Sequence, residues 1–255
     1  TTLFHFHLEL AGKVIPLCPD GLWRVYFVGG GSEATETAIQ FVRHYFLEQG
    51  KAGKINIIGR ESSYHGATIG ALSLGGFERF KRDYEPILMK CPHIPAPYCY
   101  RCPFGSEYPD CGIACAWSLE EVINRQGKET IAGFISEPVS GSTLGAVSPP
   151  PEYYPIIREI CDRNDILMIV DEVVTGFGRT GKNFGIDHWD VVPDVIIVGK
   201  GISSGYSPLG AVILHEKVYS VLSSAPKSSF FTGYTYAGNP LRCTAGNAVR
   251  DYIQK

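Results

Sequence analysis

Apolar residues along this chain follow two rhythms that take turns. Short runs rich in Val, Ile and Phe occupy residues 25–28, 55–58, 131–136, 166–170, 195–199 and 210–214. Uninterrupted runs of this length suit strands buried on both faces, as in a parallel sheet. Between them the period lengthens to that of a helix. Ala34, Ala38, Phe41, Val42 and Tyr45 mark one face of a helix over 33–48, with Ser32 as its N-cap. Tyr153, Ile156, Ile157, Ile160 and Cys161 mark a second amphipathic helix within 150–164. The alternation predicts an α/β fold, a mostly parallel sheet flanked by helices on both faces. Residues 81–117, rich in Pro, Cys and Tyr, break the rhythm and read as an insertion in one domain spanning 1–255.

Composition narrows the function classes. The chain has 255 residues, 44% hydrophobic and 19% charged, with a formal net charge of −3. These values describe a globular protein with no basic stripe for nucleic acid or an anionic membrane. No apolar run approaches the roughly 20 residues of a membrane span, and the N-terminus lacks a charged-then-apolar leader. Cytoplasm, or an organelle matrix after processing, is the expected location. The chain opens on Thr1-Thr2-Leu3 without Met and closes over 245–255 on a helical pattern with no stop signal. Both ends therefore read as truncated, and the chain as the middle of a longer protein.

Of eight cysteines, Cys91, Cys99, Cys102, Cys111 and Cys115 crowd into the insertion. Cys99-x-x-Cys102 and Cys111-x-x-x-Cys115 resemble zinc-ligand spacing, but loosely. Ordinary reduced thiols are the leading expectation, ahead of zinc and of disulfides.

The strand ends carry the chemistry. Open α/β sheets bind ligands beyond the carboxyl ends of their strands. Asp171 closes one run and Lys200 the next. An acid and a lysine at neighbouring strand ends are what pyridoxal phosphate needs: the amine joins its aldehyde, and the acid keeps the pyridine nitrogen protonated. Either residue alone reads as a solvated charge. Gly29-Gly30-Gly31-Ser32, between a strand and a helix, offers backbone N–H groups to an anion. It completes neither the dinucleotide fingerprint nor the nucleotide P-loop. Tyr64, after another strand, could stack on a flat ring or simply fill a core. Val173 could cover the ring's other face. Lys200, after an apolar run and between glycines, reads as a buried amine with room for an adduct.

Together these blocks resemble the class III (ω-type) pyridoxal-phosphate-dependent aminotransferases. The resemblance rests on 169–182 with its Asp-Glu-Val-Val-Thr-Gly-Phe-Gly-Arg-Thr-Gly-Lys core, Pro193-Asp194, Lys200-Gly201, Gly31-Ser32-Glu33-Ala34, Tyr64-His65-Gly66, Glu137-Pro138-Val139 and Thr235-Tyr236-Ala237-Gly238-Asn239-Pro240. It covers nearly the whole chain. It implies the aspartate-aminotransferase-like large domain, with the smaller domain absent. Gly31 and Ser32 would bind the cofactor phosphate, and Tyr64 would stack on the ring. Glu137 would orient the surroundings of the acid. Asp171 would hold the pyridine nitrogen, Val173 would pack on the ring and Lys200 would carry the cofactor. Thr235 would reach the phosphate of the neighbouring subunit's cofactor, implying a homodimer with the site at its interface.

The implied reaction moves an amino group between an amine or ω-amino acid and a keto acid such as pyruvate. Three departures stand out. Many members have Gln where this chain has Val174, and several amino-acid-type members have Glu in place of Ser142. Both changes lean towards amine and pyruvate substrates. Gly29 and Gly30 replace the Asn or Ser that often precedes the Gly-Ser pair. Aminomutase or decarboxylase chemistry on the same scaffold, an inactive fragment, and a nucleotide-binding module are the alternatives.

Overall fold

The computed structural model describes residues 5–225 and 233–253. In chain order the elements are α1 (His5–Val14), β1 (Leu22–Val28), α2 (Gly31–Glu48), β2 (Asn56–Arg60), α3 (Ile69–Leu74), α4 (Glu78–Lys81), β3 (His93–Ile94), α5 (Ala114–Gln126), β4 (Ile131–Ser136), α6 (Tyr153–Arg163), β5 (Leu167–Asp171), β6 (Val195–Val198), β7 (Gly210–His215), α7 (Glu216–Ser224) and α8 (Pro240–Ile253). The strands form one seven-stranded sheet in the order β1-β7-β6-β5-β4-β2-β3. The pairs from β6 through β3 are parallel, and only β7 runs against its neighbours. The expected mostly parallel α/β sheet is present.

Alternation along the strands divides the core in two. Met168 and Val170 of β5, and Ile196 and Val198 of β6, join the cluster under α1, α5 and α6. Leu167, Ile169, Val195 and Ile197 face the other way, towards α2 and α7. A period of two on strands covered on both faces explains why the sequence shows solid apolar runs there. No helix among the described residues is long and apolar enough to cross a membrane.

Several boundaries differ from the sequence pattern, each for a local reason. α2 begins at Gly31 rather than 33, its N-cap is Gly30, and no side chain caps it. Ser32 lies inside the first turn, where its Oγ accepts the Ala67 N–H at 3.1 Å instead of capping the helix. The second strand runs two residues past the expected apolar stretch, because Arg60 is fully buried within it. Residues 81–117 are only partly irregular: they supply the edge strand β3, paired to β2, and the start of α5. Helix α8 covers most of the pattern at 245–255, whose end lies outside the described residues.

Candidate active site

Because β7 is reversed, its first two residues meet the last residues of its neighbours on one edge: Val28 pairs with Gly210, and Val198 with Ala211. A cavity of about 480 Å³ opens at that edge. Gly31, Ser32, Tyr64, Glu137, Asp171, Val173 and Lys200, seven of the eight residues expected at a site, all line it. Thr235 does not; it is exposed in the turn before α8.

Asp171 ends β5 and is 4% exposed. Its Oδ2 accepts from His65 Nδ1 at 2.8 Å, and its Oδ1 accepts the Val173 N–H at 3.0 Å. Glu172 points away from this pair. It accepts the Gly185 and Ile186 N–H groups, each at 2.8 Å, and the Thr175 hydroxyl. Burial pushes its carboxyl up to about 7, against those three donors, which favour the charged form. The two adjacent acids thus have separate partners, as burial requires.

Glu137 makes no hydrogen bond to Asp171 among the contacts of this site. Its Oε1 accepts the Gly141 N–H at 3.4 Å, while its Oε2 is buried without a hydrogen-bond partner, 3.9 Å from Arg60 Nη2. Burial raises its carboxyl, and the charges of His65 and Arg60 pull the other way. Arg60 donates from Nη2 to the Glu137 carbonyl at 3.0 Å and to Ser140 Oγ at 2.9 Å.

Lys200 is exposed, not buried as its apolar run suggested. The strand stops at Val198, and Lys200, two residues on, is exposed while lining the cavity. Its backbone adopts φ +34°, in the left-handed region where a side chain is disfavoured. Sparse conformations of this kind cost about 1–3 kcal/mol and gather at functional sites. Tyr64 is held edge-on by Phe80, ring centroids 5.5 Å apart.

The glycine turn makes room. A methyl on Gly31 would stand 3.1 Å from Val173 Cγ2, whereas one on Gly30 would meet nothing within 4 Å. The first i to i−4 bond of α2 runs from Ala34 to Gly30. Gly31, Ser32 and Glu33 N–H groups therefore have no intrahelical acceptor, and the positive helix end faces the cavity. A cradle of N–H groups, an anchored carboxylate, an aromatic side chain and a free amine make a donor set that fits a flat, phosphate-bearing aldehyde.

The family model for aminotransferase class-III matches residues 4–255. The chain belongs to that family. Among curated relatives, an adenosylmethionine-8-amino-7-oxononanoate aminotransferase of Geobacter sulfurreducens is 38% identical over 248 residues, 96% of this chain and 54% of that protein. A putrescine–pyruvate aminotransferase of Pseudomonas aeruginosa is 40% identical over 235 residues, 92% of this chain and 51% of that protein. An amine transaminase from an uncultivated Pseudomonas species, solved in a PLP-bound form, superposes with a TM-score of 0.94 at 36% identity, covering 99% of this chain and 58% of that one. The chain spans about half the length of the curated relatives it matches. Class III aminotransferases depend on pyridoxal phosphate.

His65, Thr35 and Arg60 belong to the site's surroundings but were not singled out from the sequence. The available signal was a histidine beside Tyr64, in a strand-end loop facing two acids. All eight cysteines are free thiols. Cys99, Cys102, Cys111 and Cys115 line a separate small cavity, and no His, Cys, Asp or Glu group among the described residues is arranged to hold a metal ion.

Proposed function

We propose that this chain is the cofactor-binding large domain of a pyridoxal-phosphate-dependent aminotransferase, moving an amino group between an amine or ω-amino acid and a keto acid such as pyruvate. One observation carries the reading: Asp171 and Lys200, from the ends of adjacent strands, line one cavity with Tyr64, Val173 and the N-terminus of α2. When bound, the cofactor supplies an aldehyde that captures amines and a ring that withdraws electrons from the substrate carbon.

The chain's own groups divide the remaining work. Backbone N–H groups of Gly31 and Ser32, with the Ser32 hydroxyl, would hold the phosphate at the helix end. Asp171, held by two donors, would pair with the pyridinium N–H through a charge-assisted hydrogen bond. Tyr64 and Val173 would pack on the ring, and Glu137, 3.9 Å from the Arg60 guanidinium, lines the cavity with Asp171. The Lys200 Nζ takes a proton from the substrate carbon and returns it one position away, as general base and then acid. Its exposure leaves it free to swing. Val174 and Ser142 both line the cavity, where apolar and small side chains suit an amine better than a second carboxylate.

The partner subunit completes this picture. Thr235 is exposed and does not line the cavity of its own chain, which leaves it available for a neighbouring subunit's phosphate. Tyr206, Tyr236 and Leu241 are 83%, 61% and 76% exposed, apolar surface that a homodimer would cover. The proposed location is the cytoplasm.

The test is a visible spectrum of the protein titrated with pyridoxal phosphate, followed by amine-to-pyruvate transfer. A lysine-dependent band that vanishes in Lys200→Ala, and alanine formation from pyruvate that vanishes with it, are expected. A band that survives Lys200→Ala would remove Lys200 from the role. Release of carbon dioxide or isomerisation without transfer would replace the reaction.

A further inference from the structure

Arg60 ends β2 and is fully buried, although a guanidinium keeps its charge wherever it is placed. The carboxylate that faces it, Glu137, stays 3.9 Å away, and Arg60 Nε and Nη1 are buried without a hydrogen-bond partner. A well-packed apolar side chain of similar volume is often as stabilising as a buried ion pair, or more so. Stability therefore does not account for this cation. What its remaining nitrogen holds does.

Both bonds from Arg60 Nη2 end on the segment that leaves β4. One goes to the Glu137 carbonyl at 3.0 Å, which also accepts the Tyr154 hydroxyl at 2.6 Å. The other goes to Ser140 Oγ at 2.9 Å. A short hairpin begins there: the Ser140 N–H donates to the Val147 carbonyl at 2.9 Å, and the Val147 N–H returns to the Ser140 carbonyl at 3.1 Å. At its tip the Gly145 and Ala146 N–H groups both donate to the Gly141 carbonyl. Gly141 and Ser142 line the cavity, and a Cβ on Gly141 would stand 3.8 Å from Val174 Cγ2. Among the described residues, two polar ties join this hairpin to the rest of the domain. They are Arg60 on Ser140, and the Gly141 N–H on Glu137 Oε1 at 3.4 Å. The guanidinium and its facing carboxylate thus grip the hairpin's first two residues.

We infer that Arg60 is a positioning residue for substrate selection, an inference that rests on the aminotransferase reading above. Arg60 does not itself line the cavity. It holds the base of hairpin 140–147 and thereby sets where the wall of Gly141, Ser142 and Val174 stands against the substrate. The groups assigned to the cofactor, at the α2 N-terminus, Asp171 and Lys200, belong to other elements. Loosening the hairpin should therefore disturb substrate binding more than cofactor binding. A displaced wall also discriminates less between substrates of different bulk, since such discrimination depends on close contact.

The experiment compares wild type with Ser140→Ala, which removes the acceptor hydroxyl, with Arg60→Lys, which keeps the charge but loses the fork, and with the double variant. Readouts are the pyridoxal phosphate dissociation constant, and kcat and KM for amine-to-pyruvate transfer with a short alkyl amine and a bulky one. In Ser140→Ala the amine KM should rise about 5–10-fold, the low end of one lost hydrogen bond to a charged group, because the wall shifts rather than disappears. Its kcat and cofactor affinity should stay within about twofold of wild type, and its preference between the two amines should fall at least about threefold. Arg60→Lys should change KM and preference in the same direction. The double variant should do no more than the stronger single variant, since both break one bond.

A cofactor-loaded Ser140→Ala protein with wild-type KM and preference overturns the inference. So does a rise in KM matched by an equal loss of cofactor affinity, because Arg60 would then act on the cofactor site. A double variant whose effects multiply overturns it as well. If Arg60→Lys does not fold, Ser140→Ala decides alone by its KM and preference. A wild-type protein that forms no lysine-dependent band and transfers no amino group defeats the aminotransferase reading itself, before any variant is compared.

Discussion

Adding one methyl group at a time around the glycine turn separates space that the fold needs from space that a ligand needs. Gly30, Gly31 and Gly210 all lie at the edge where the cavity opens, and none has the positive φ that would penalise alanine by itself. What differs is what the new Cβ would meet. At Gly210 it would stand 2.6 Å from both the carbonyl carbon and the oxygen of Gly30, backbone that cannot step aside. At Gly31 the contacts are the two Val173 methyls, at 3.1 and 3.2 Å, and these can yield by a few tenths of an ångström. At Gly30 there is no atom within 4 Å.

Carbon pairs are comfortable at about 3.5–4.0 Å, so Gly210→Ala forces about 1 Å of displacement between β7 and the turn. Overpacking on that scale costs about 1–3 kcal/mol. In a domain this size each kcal/mol lowers Tm by about 2–4 °C. Gly31→Ala should cost less, roughly 1 kcal/mol at most, while pushing Val173 into the slot. Gly30→Ala should gain about 0.4–1 kcal/mol by stiffening the unfolded chain. Melting cofactor-free protein therefore ranks the variants Gly30→Ala, Gly31→Ala, Gly210→Ala from most to least stable. Titration with pyridoxal phosphate ranks them differently, because a methyl at Gly30 occupies the open side of the anion cradle. Gly30→Ala should bind cofactor at least about tenfold more weakly despite its higher Tm, a loss of about 1.4 kcal/mol. A Gly210→Ala protein that melts with wild type would refute the steric argument. A Gly30→Ala protein with wild-type affinity would refute the placement of the phosphate.

Two further perturbations test other parts of the site. Glu172 is pushed up to about 7 from an ordinary 4.5. Folding therefore favours its protonated form, so its stabilising contribution is complete below about pH 4.5 and is lost as pH rises through about 7. The loss is on the order of 3 kcal/mol at most. Chemical denaturation from pH 5 to 8 should show that decline, and Glu172→Gln should flatten it; an unchanged slope would mean the three donors keep the acid charged throughout. At Lys200 the left-handed backbone should make Lys200→Gly more stable than Lys200→Ala by about 1 kcal/mol, both lacking transfer activity. Equal melting temperatures would show that residue 200 bears no strain.

How much of this was readable beforehand depends on the range of the interaction involved. Asp171 and Lys200 announced themselves because each follows a run of apolar residues, and solid runs are what strands buried on both faces produce. Adjacency of those strands then follows from the sheet, where Asp171 pairs with Ile197. The exposure of Lys200 was not readable from the same run, since the strand ends at Val198, two residues before it. Residues 81–117 hid their strand because β3 has only two residues, too few to show a period. α5 begins just after Ile113, which sits at φ +55°. Ser32 carries the composition of an N-cap, but the helix starts earlier and Ala67 claims its hydroxyl.

The partner of Asp171 was the deepest omission. His65 lies 106 positions away and reaches the acid only because Gly66 holds φ +140° and Thr35 holds the His65 carbonyl. Local pattern reports which face of an element is buried; it does not report which loop folds over a strand end. For the same reason the residues that touch a ligand were legible one by one, whereas those that hold them in register needed coordinates. Sequence reading finds the reacting groups of such sites and misses the groups that fix their spacing.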